Sequence, residues 1–161
     1  MREKTIAIIY HSQSKGHTRA AARLVAEGVR EDEEFEVELH NTDDGRVSPR
    51  LLARCAAVAF GTPDYFSYPA GGMKMFADDW LIEKRRSNGE LEGMPMGLFL
   101  THGGGQRAQE PFESLFDRIG EQVSETVAIA GAPDEQAAQR CRELGRRLTR
   151  SGRTFLDEEG E

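Results

Sequence analysis

Residues 5–21 read TIAIIYHSQSKGHTRAA, and the fold is decided there. Thr5–Tyr10 is a continuous apolar run rich in β-branched residues, the pattern of a strand buried on both faces. From Thr18 to Val29, Ala20, Ala21, Leu24, Val25, Gly28 and Val29 recur at helical spacing with Arg and Glu between them. The eight residues between, His11–Thr18, hold two serines, a threonine, a lysine, two histidines and a glycine. Ser12, Ser14 and Thr18 offer hydroxyls, Gly16 relieves crowding, and the helix offers its free N–H groups and positive end, as a phosphate requires. The same residue types also serve simply to cap a helix.

Outward from this loop the alternation of strand and helix repeats. Phe35–His40 alternates apolar and polar residues, as an edge strand does, and Ser48-Pro49 is an N-cap followed by proline at the first position of a short helix. Ala56–Phe60 is a third strand, and Pro69–Ile82 a helix with Met73, Phe76, Ala77 and Trp80 on one stripe facing the core. Lys84–Gly93 is loop. Met96–Thr101 is a fourth strand, Glu110–Ile119 a helix, Glu125–Ala130 a fifth strand, and Pro133–Thr149 a last helix with Leu144 and Leu148 inward. The polar tail from Ser151 to Glu161 is expected to fray. Five such repeats predict one α/β domain over residues 1–161, a parallel sheet covered on both faces.

In such sheets ligands sit beyond the carboxyl ends of the strands, so the loops after strands one, three and four are the candidates. The second, Gly61–Gly72, carries Tyr65, Phe66 and Tyr68, costly to expose unless something flat packs on them or they fold back onto the sheet. The third, Thr101-His-Gly-Gly-Gly-Gln106, places three glycines where the main chain must approach a ligand closely, unless it is a flexible connector. Together they describe one ligand, with its phosphate on the first loop and a planar ring between the other two. Neither GxxxxGK[ST] nor GxGxxG is present, which speaks against a triphosphate loop and a dinucleotide fingerprint.

The 161 residues carry 21 Lys and Arg against 28 Asp and Glu, a net charge of −7, which argues against nucleic-acid and anionic-membrane binding. The acidic surplus lies in Glu31–Glu36, Asp43/Asp44 and the tail Asp157–Glu161 rather than on the three loops. Cys55 and Cys141 are far apart in no CxxC pattern, as reduced thiols packed like small hydrophobes are. No apolar stretch reaches membrane-span length, and Met1-Arg-Glu-Lys leads straight into a strand, so the cytoplasm is the expected compartment. His11 and His17 share no spacing with a carboxylate or thiol, and no metal is expected.

The stretches IAIIYHSQSKGHTRAAARLVAEGV, VAFGTPDYFSYPAGGMKMFADDW and GLFLTHGGGQ resemble the flavodoxin-like superfamily, within it the FMN-dependent flavodoxin and NAD(P)H:quinone oxidoreductase group, over about residues 4–150. The resemblance implies a three-layer, doubly wound α/β fold. Its five-stranded parallel sheet has the order 2-1-3-4-5, with FMN held non-covalently at its carboxyl edge. It assigns the ribityl phosphate to Ser12, Gln13, Ser14, Gly16, His17 and Thr18. Thr62, Pro63, Asp64, Tyr65 and Phe66 flank the isoalloxazine, and Thr101, His102, Gly103, Gly104 and Gly105 cover its pyrimidine side. The first loop is one residue longer than the flavodoxin pattern, with Lys15 inserted to meet phosphate or point to water.

The function expected first is an FMN enzyme that takes hydride from NAD(P)H and reduces a quinone-like or other small acceptor, working as a possible homo-oligomer. There His102 donates to the flavin or protonates the acceptor, and Tyr65 and Phe66 form the acceptor's wall. The alternatives are a flavodoxin-type carrier serving a redox partner protein without a substrate of its own, and a binding module of the same fold lacking FMN.

Overall fold

A computed structural model describes residues 1–14 and 16–160. The sheet forms around β1 (Thr5–Tyr10), every residue of which is buried. β2 (Glu36–Asn41) and β3 (Ala57–Tyr65) flank β1 in parallel. β5 (Met94–His102) pairs with β3, and β6 (Gly120–Gln122) and β7 (Val127–Ala130) share the far side of β5. The order β2-β1-β3-β5-(β6, β7) is the expected five-position arrangement, with the last position split between two short strands. The side-chain period of two sorts β1 cleanly. Ile6, Ile8 and Tyr10 join the core under α1 (His17–Arg30) and α4 (Glu135–Glu159), while Ala7 and Ile9 join the core under α2 (Gly71–Lys84) and α3 (Gln109–Phe116).

α1 and α4 pack with their backbones close. A Cβ on Gly28 would lie 2.0 Å from the Arg142 carbonyl oxygen, and one on Gly145 2.2 Å from that of Val25. These two glycines serve helix packing rather than a ligand. The stripe on α2 is as expected: Met73, Phe76, Ala77 and Trp80 are buried, and the Trp80 indole donates to the Leu91 carbonyl at 2.7 Å. Cys55 and Cys141 are free and buried. Ser48 caps a short 3₁₀ helix, Pro49–Arg54, its side chain accepting from Arg50 N–H. No helix among the described residues is long and apolar enough to cross a membrane.

Three expectations are corrected. The segment from Ser151 is helical to Glu159 rather than frayed. Gly152 lies against Ala56, the Arg2 guanidinium stacks over Phe155 at 5.0 Å and bonds Glu159 at 2.7 Å, and Arg153 bonds Asp32 and Glu34. The fifth strand begins at Val127, and a separate short strand precedes it. β3 does not stop at Phe60. It runs to Tyr65 and turns back as an antiparallel hairpin with β4 (Tyr68–Pro69), pairing Tyr65 with Tyr68. β1 ends opposite Gly61, so the residues beyond lie at an edge, where Pro63 is tolerated.

Candidate functional site

β1, β3 and β5 all run in parallel toward one edge of the sheet, where α1 begins. A cleft of about 340 Å³ opens there. Ser12, Gln13, Gly16, His17 and Thr18 form one wall, Pro63, Asp64 and Tyr65 the second, and Thr101, His102, Gly103 and Gly131 the third. Residues from all three predicted loops therefore converge, and eleven of the predicted positions line this space.

The first wall presents an open helix end. The N-cap of α1 is Gly16, which has no side chain to cap with, and the first turn has no acidic residue. α4, by contrast, is capped by Asp134, which accepts from Ala137 N–H, and has Glu135 in its first turn. In α1 the Ser12 Oγ accepts from Arg19 N–H at 3.1 Å and donates to the Gln13 carbonyl at 2.9 Å. Ser12 is thus occupied with the loop itself, in the capping role that the sequence left open. The N–H groups of His17 and Thr18 have no partner among the described residues. An unpaired helix start of this kind attracts an anion. A Cβ on Gly16 would meet the Ser12 Oγ at 2.3 Å, so any larger residue there must push the Ser12 hydroxyl out of its two bonds. Ser14 is exposed and its side chain lies outside the lining. Lys15 lies outside the described residues.

Asn41, which the sequence reading did not single out, holds this loop from the end of β2. Its Oδ1 accepts from Ser12 N–H at 3.0 Å and its Nδ2 donates to the Ser12 carbonyl at 2.8 Å. The Oδ1 also accepts from Asp43 N–H, fixing the acidic turn Thr42–Asp44 beside the site. The Thr42 hydroxyl meets His11 Nδ1 at 2.8 Å, and the His11 ring packs edge-on to Tyr65 at 5.9 Å. Asp43 and Asp44 follow Thr42 and line a separate groove with Gly72 and Met75, joined to the cleft's first loop through Asn41.

On the second wall, Tyr65 is 37% exposed and is reached by Gln13 Nε2 at 3.5 Å. Asp64 is a strut: one oxygen accepts from Ser67 N–H at 2.8 Å, the other from Ala108 N–H at 3.1 Å, tying the hairpin to the start of α3. Two residues assigned to this wall lie outside the lining. Thr62 is fully buried, its hydroxyl accepting from Ala70 N–H and donating to the Pro63 carbonyl, so it braces the hairpin instead of facing the cleft. Phe66 is fully exposed at the hairpin tip, with Ser67 beside it, both at positive φ (58° and 60°).

On the third wall, Thr101 is buried and its hydroxyl meets that of Thr18 at 2.7 Å. His102 lines the cleft, and its Nδ1 is buried with no hydrogen-bond partner among the described residues. Gly103 lines it as well, but Gly104 and Gly105 are exposed and outside it. Gly131, at φ +72° after the fifth strand, joins this wall although a lone glycine there carries no ligand signal in the sequence; its N–H donates to the His102 carbonyl at 2.9 Å.

Free amides at a helix start, one hydroxyl pair and an orphaned buried ring nitrogen beside an aromatic side chain fit a phosphomonoester that carries a planar heterocycle. The family profile described as Flavodoxin matches residues 8–145. The chain belongs to the flavodoxin family. A flavodoxin of Aquifex aeolicus is 30% identical over 170 aligned positions, spanning 94% of this chain and 89% of the relative. An archaeal flavodoxin structure superposes with a TM-score of 0.76 at 19% identity, over 92% of this chain and 99% of its own. The flavodiiron protein of Giardia intestinalis gives 0.83 at 16% identity, over 98% of this flavodoxin but 38% of that chain. The last two show the fold. Family membership implies FMN as the cofactor, and the cleft's donor set fits it.

Proposed function

We propose that this flavodoxin holds FMN in the cleft and carries electrons between partner proteins, with no small-molecule substrate of its own. Bound FMN supplies reversible electron acceptance at its ring. The chain's own groups do the rest. The His17 and Thr18 amides and the Thr18 hydroxyl hold the phosphate against the positive end of α1. Tyr65 offers a stacking face, and His102 Nδ1 offers the ring edge a hydrogen bond that it otherwise lacks.

The observation that carries the choice of carrier over NAD(P)H-dependent enzyme is the match to flavodoxins along most of the chain, and the acidic turn that Asn41 ties to the first loop agrees with it. Asp43 and Asp44 are exposed there, tethered through Asn41 and Thr42 to the cleft. A dinucleotide pyrophosphate approaching that rim meets like charge, whereas a basic protein face meets opposite charge. Met75, 44% exposed, adds apolar surface to the groove that Asp43 and Asp44 line.

The test is anaerobic. Protein reconstituted with FMN should be reduced by a flavodoxin reductase and should give no steady-state NADPH or NADH oxidation with benzoquinone. Sustained turnover with benzoquinone would establish the oxidoreductase instead, and protein that stays colourless after incubation with FMN would leave only a binding module.

A further inference from the structure

Thr18 lies at the start of α1 and Thr101 near the end of β5, 83 residues apart in sequence. Their hydroxyls meet at 2.7 Å, and the two residues are 2% and 5% exposed. Neither hydroxyl has another partner among the described residues. Two hydroxyls carry two protons, and the bond between them uses one. The second proton belongs to a pair whose residues both line the cleft. A buried hydroxyl proton without an acceptor is unfavourable, so the pair is completed by an acceptor that enters the cleft.

The direction of the pair follows from where that acceptor sits. Thr18 shares its position with the unpaired His17 and Thr18 amides at the positive end of α1, so an anion there is closest to Thr18. The anion then accepts a hydrogen bond from the Thr18 hydroxyl, and Thr18 in turn accepts from Thr101. Charge at one end of such a chain polarises both bonds in series. We infer that Thr101 is a positioning residue for the phosphate end of the ligand, acting through Thr18, and does not contact the ring's pyrimidine side as the resemblance implied. The inference rests on the FMN reading above.

The experiment titrates apoprotein with FMN and with riboflavin, which lacks the phosphate, by quenching of flavin fluorescence. Thr101→Val keeps the shape and removes the hydroxyl; Thr101→Ser keeps the hydroxyl. Thr101→Val should weaken FMN at least about threefold, part of the tenfold or more expected for losing a direct bond to a charged group. It should leave riboflavin unchanged, and Thr101→Ser should restore FMN binding. In a Thr18→Val background the same substitution should add nothing, because the two residues act as one donor. Equal weakening of both flavins, an undiminished effect in the Thr18→Val background, or unchanged FMN affinity in Thr101→Val would each overturn the inference. Thr101→Ala carries the same test should the valine variant not fold. Wild-type apoprotein that binds neither flavin would overturn the FMN reading and this inference together; wild type that binds FMN with Thr101 indifferent overturns this inference alone.

Discussion

Glu38 on β2 and Arg54 at the end of the 3₁₀ helix pair through both guanidinium nitrogens, and His40 adds a contact at 3.1 Å. The Arg54 hydrogen bond holds the Glu38 carboxyl at about 2, against an ordinary value near 4.5; partial burial opposes the shift and His40 assists it. A carboxyl held lower in the folded chain stabilises above its unfolded value, and that contribution is lost as the pH falls through its folded value. The difference in Tm between wild type and Glu38→Gln should therefore be constant near neutrality and close between about pH 4.5 and pH 2. A gap independent of pH would contradict the assignment. Burial also pushes the Cys55 and Cys141 thiols up to about 11, so neither should react with a disulfide reagent at pH 8 until the chain unfolds. Prompt labelling of the native protein would count against this. At this scale the convergence of the three loops was more legible in the sequence than which of their atoms face the cleft. Ser12, Ser14 and Thr18 are equivalent donors on paper, but geometry turns Ser12 inward as a cap, leaves Ser14 exposed and joins Thr18 to Thr101. Asn41 was invisible because its partner Ser12 is 29 residues away.

Among the elements, the hairpin at the end of β3 holds two adjacent non-glycine residues at positive φ. A bulky residue at positive φ is disfavoured, and a two-residue turn with both centres at positive φ prefers Asn-Gly. Phe66 and Ser67 occupy such positions at 58° and 60°. Phe66→Asn with Ser67→Gly should raise the stability of the apoprotein by about 1–2 kcal/mol, read as a higher Tm. An unchanged or lower Tm would show that Phe66 makes a compensating contact. The contact between α1 and α4 points the other way. Gly28→Ala puts a methyl 2.0 Å from the Arg142 carbonyl oxygen and should cost about 1–3 kcal/mol despite alanine's better helix propensity. A stabilised Gly28→Ala variant would mean that the helices separate freely. The hairpin escaped the sequence because Gly61 and Pro63 resemble strand breakers, a reading that fails where a strand outlives its neighbour. The end of α4 escaped because Gly152, Phe155 and Leu156 continue the apolar stripe at helical spacing within an otherwise polar tail.

For the molecule as a whole, the layout was legible because alternation of buried strands with amphipathic helices leaves few topologies, and the parallel sheet then fixes which edge holds the site. Charge was the part that sequence order misplaced. Asp43 and Asp44 follow the edge strand, yet Asn41 ties their turn to the first loop of the cleft. The account stands on a phosphate held by the open start of α1, with its ring against Tyr65 and His102. The most direct test is an amide NMR titration of apoprotein with FMN. The largest shifts should fall on His17 and Thr18, with smaller ones at Tyr65, His102 and Gly131. Shifts centred elsewhere, such as the groove lined by Pro95, Val123 and Phe155 at the opposite end of the sheet, or no shifts at all, would contradict it.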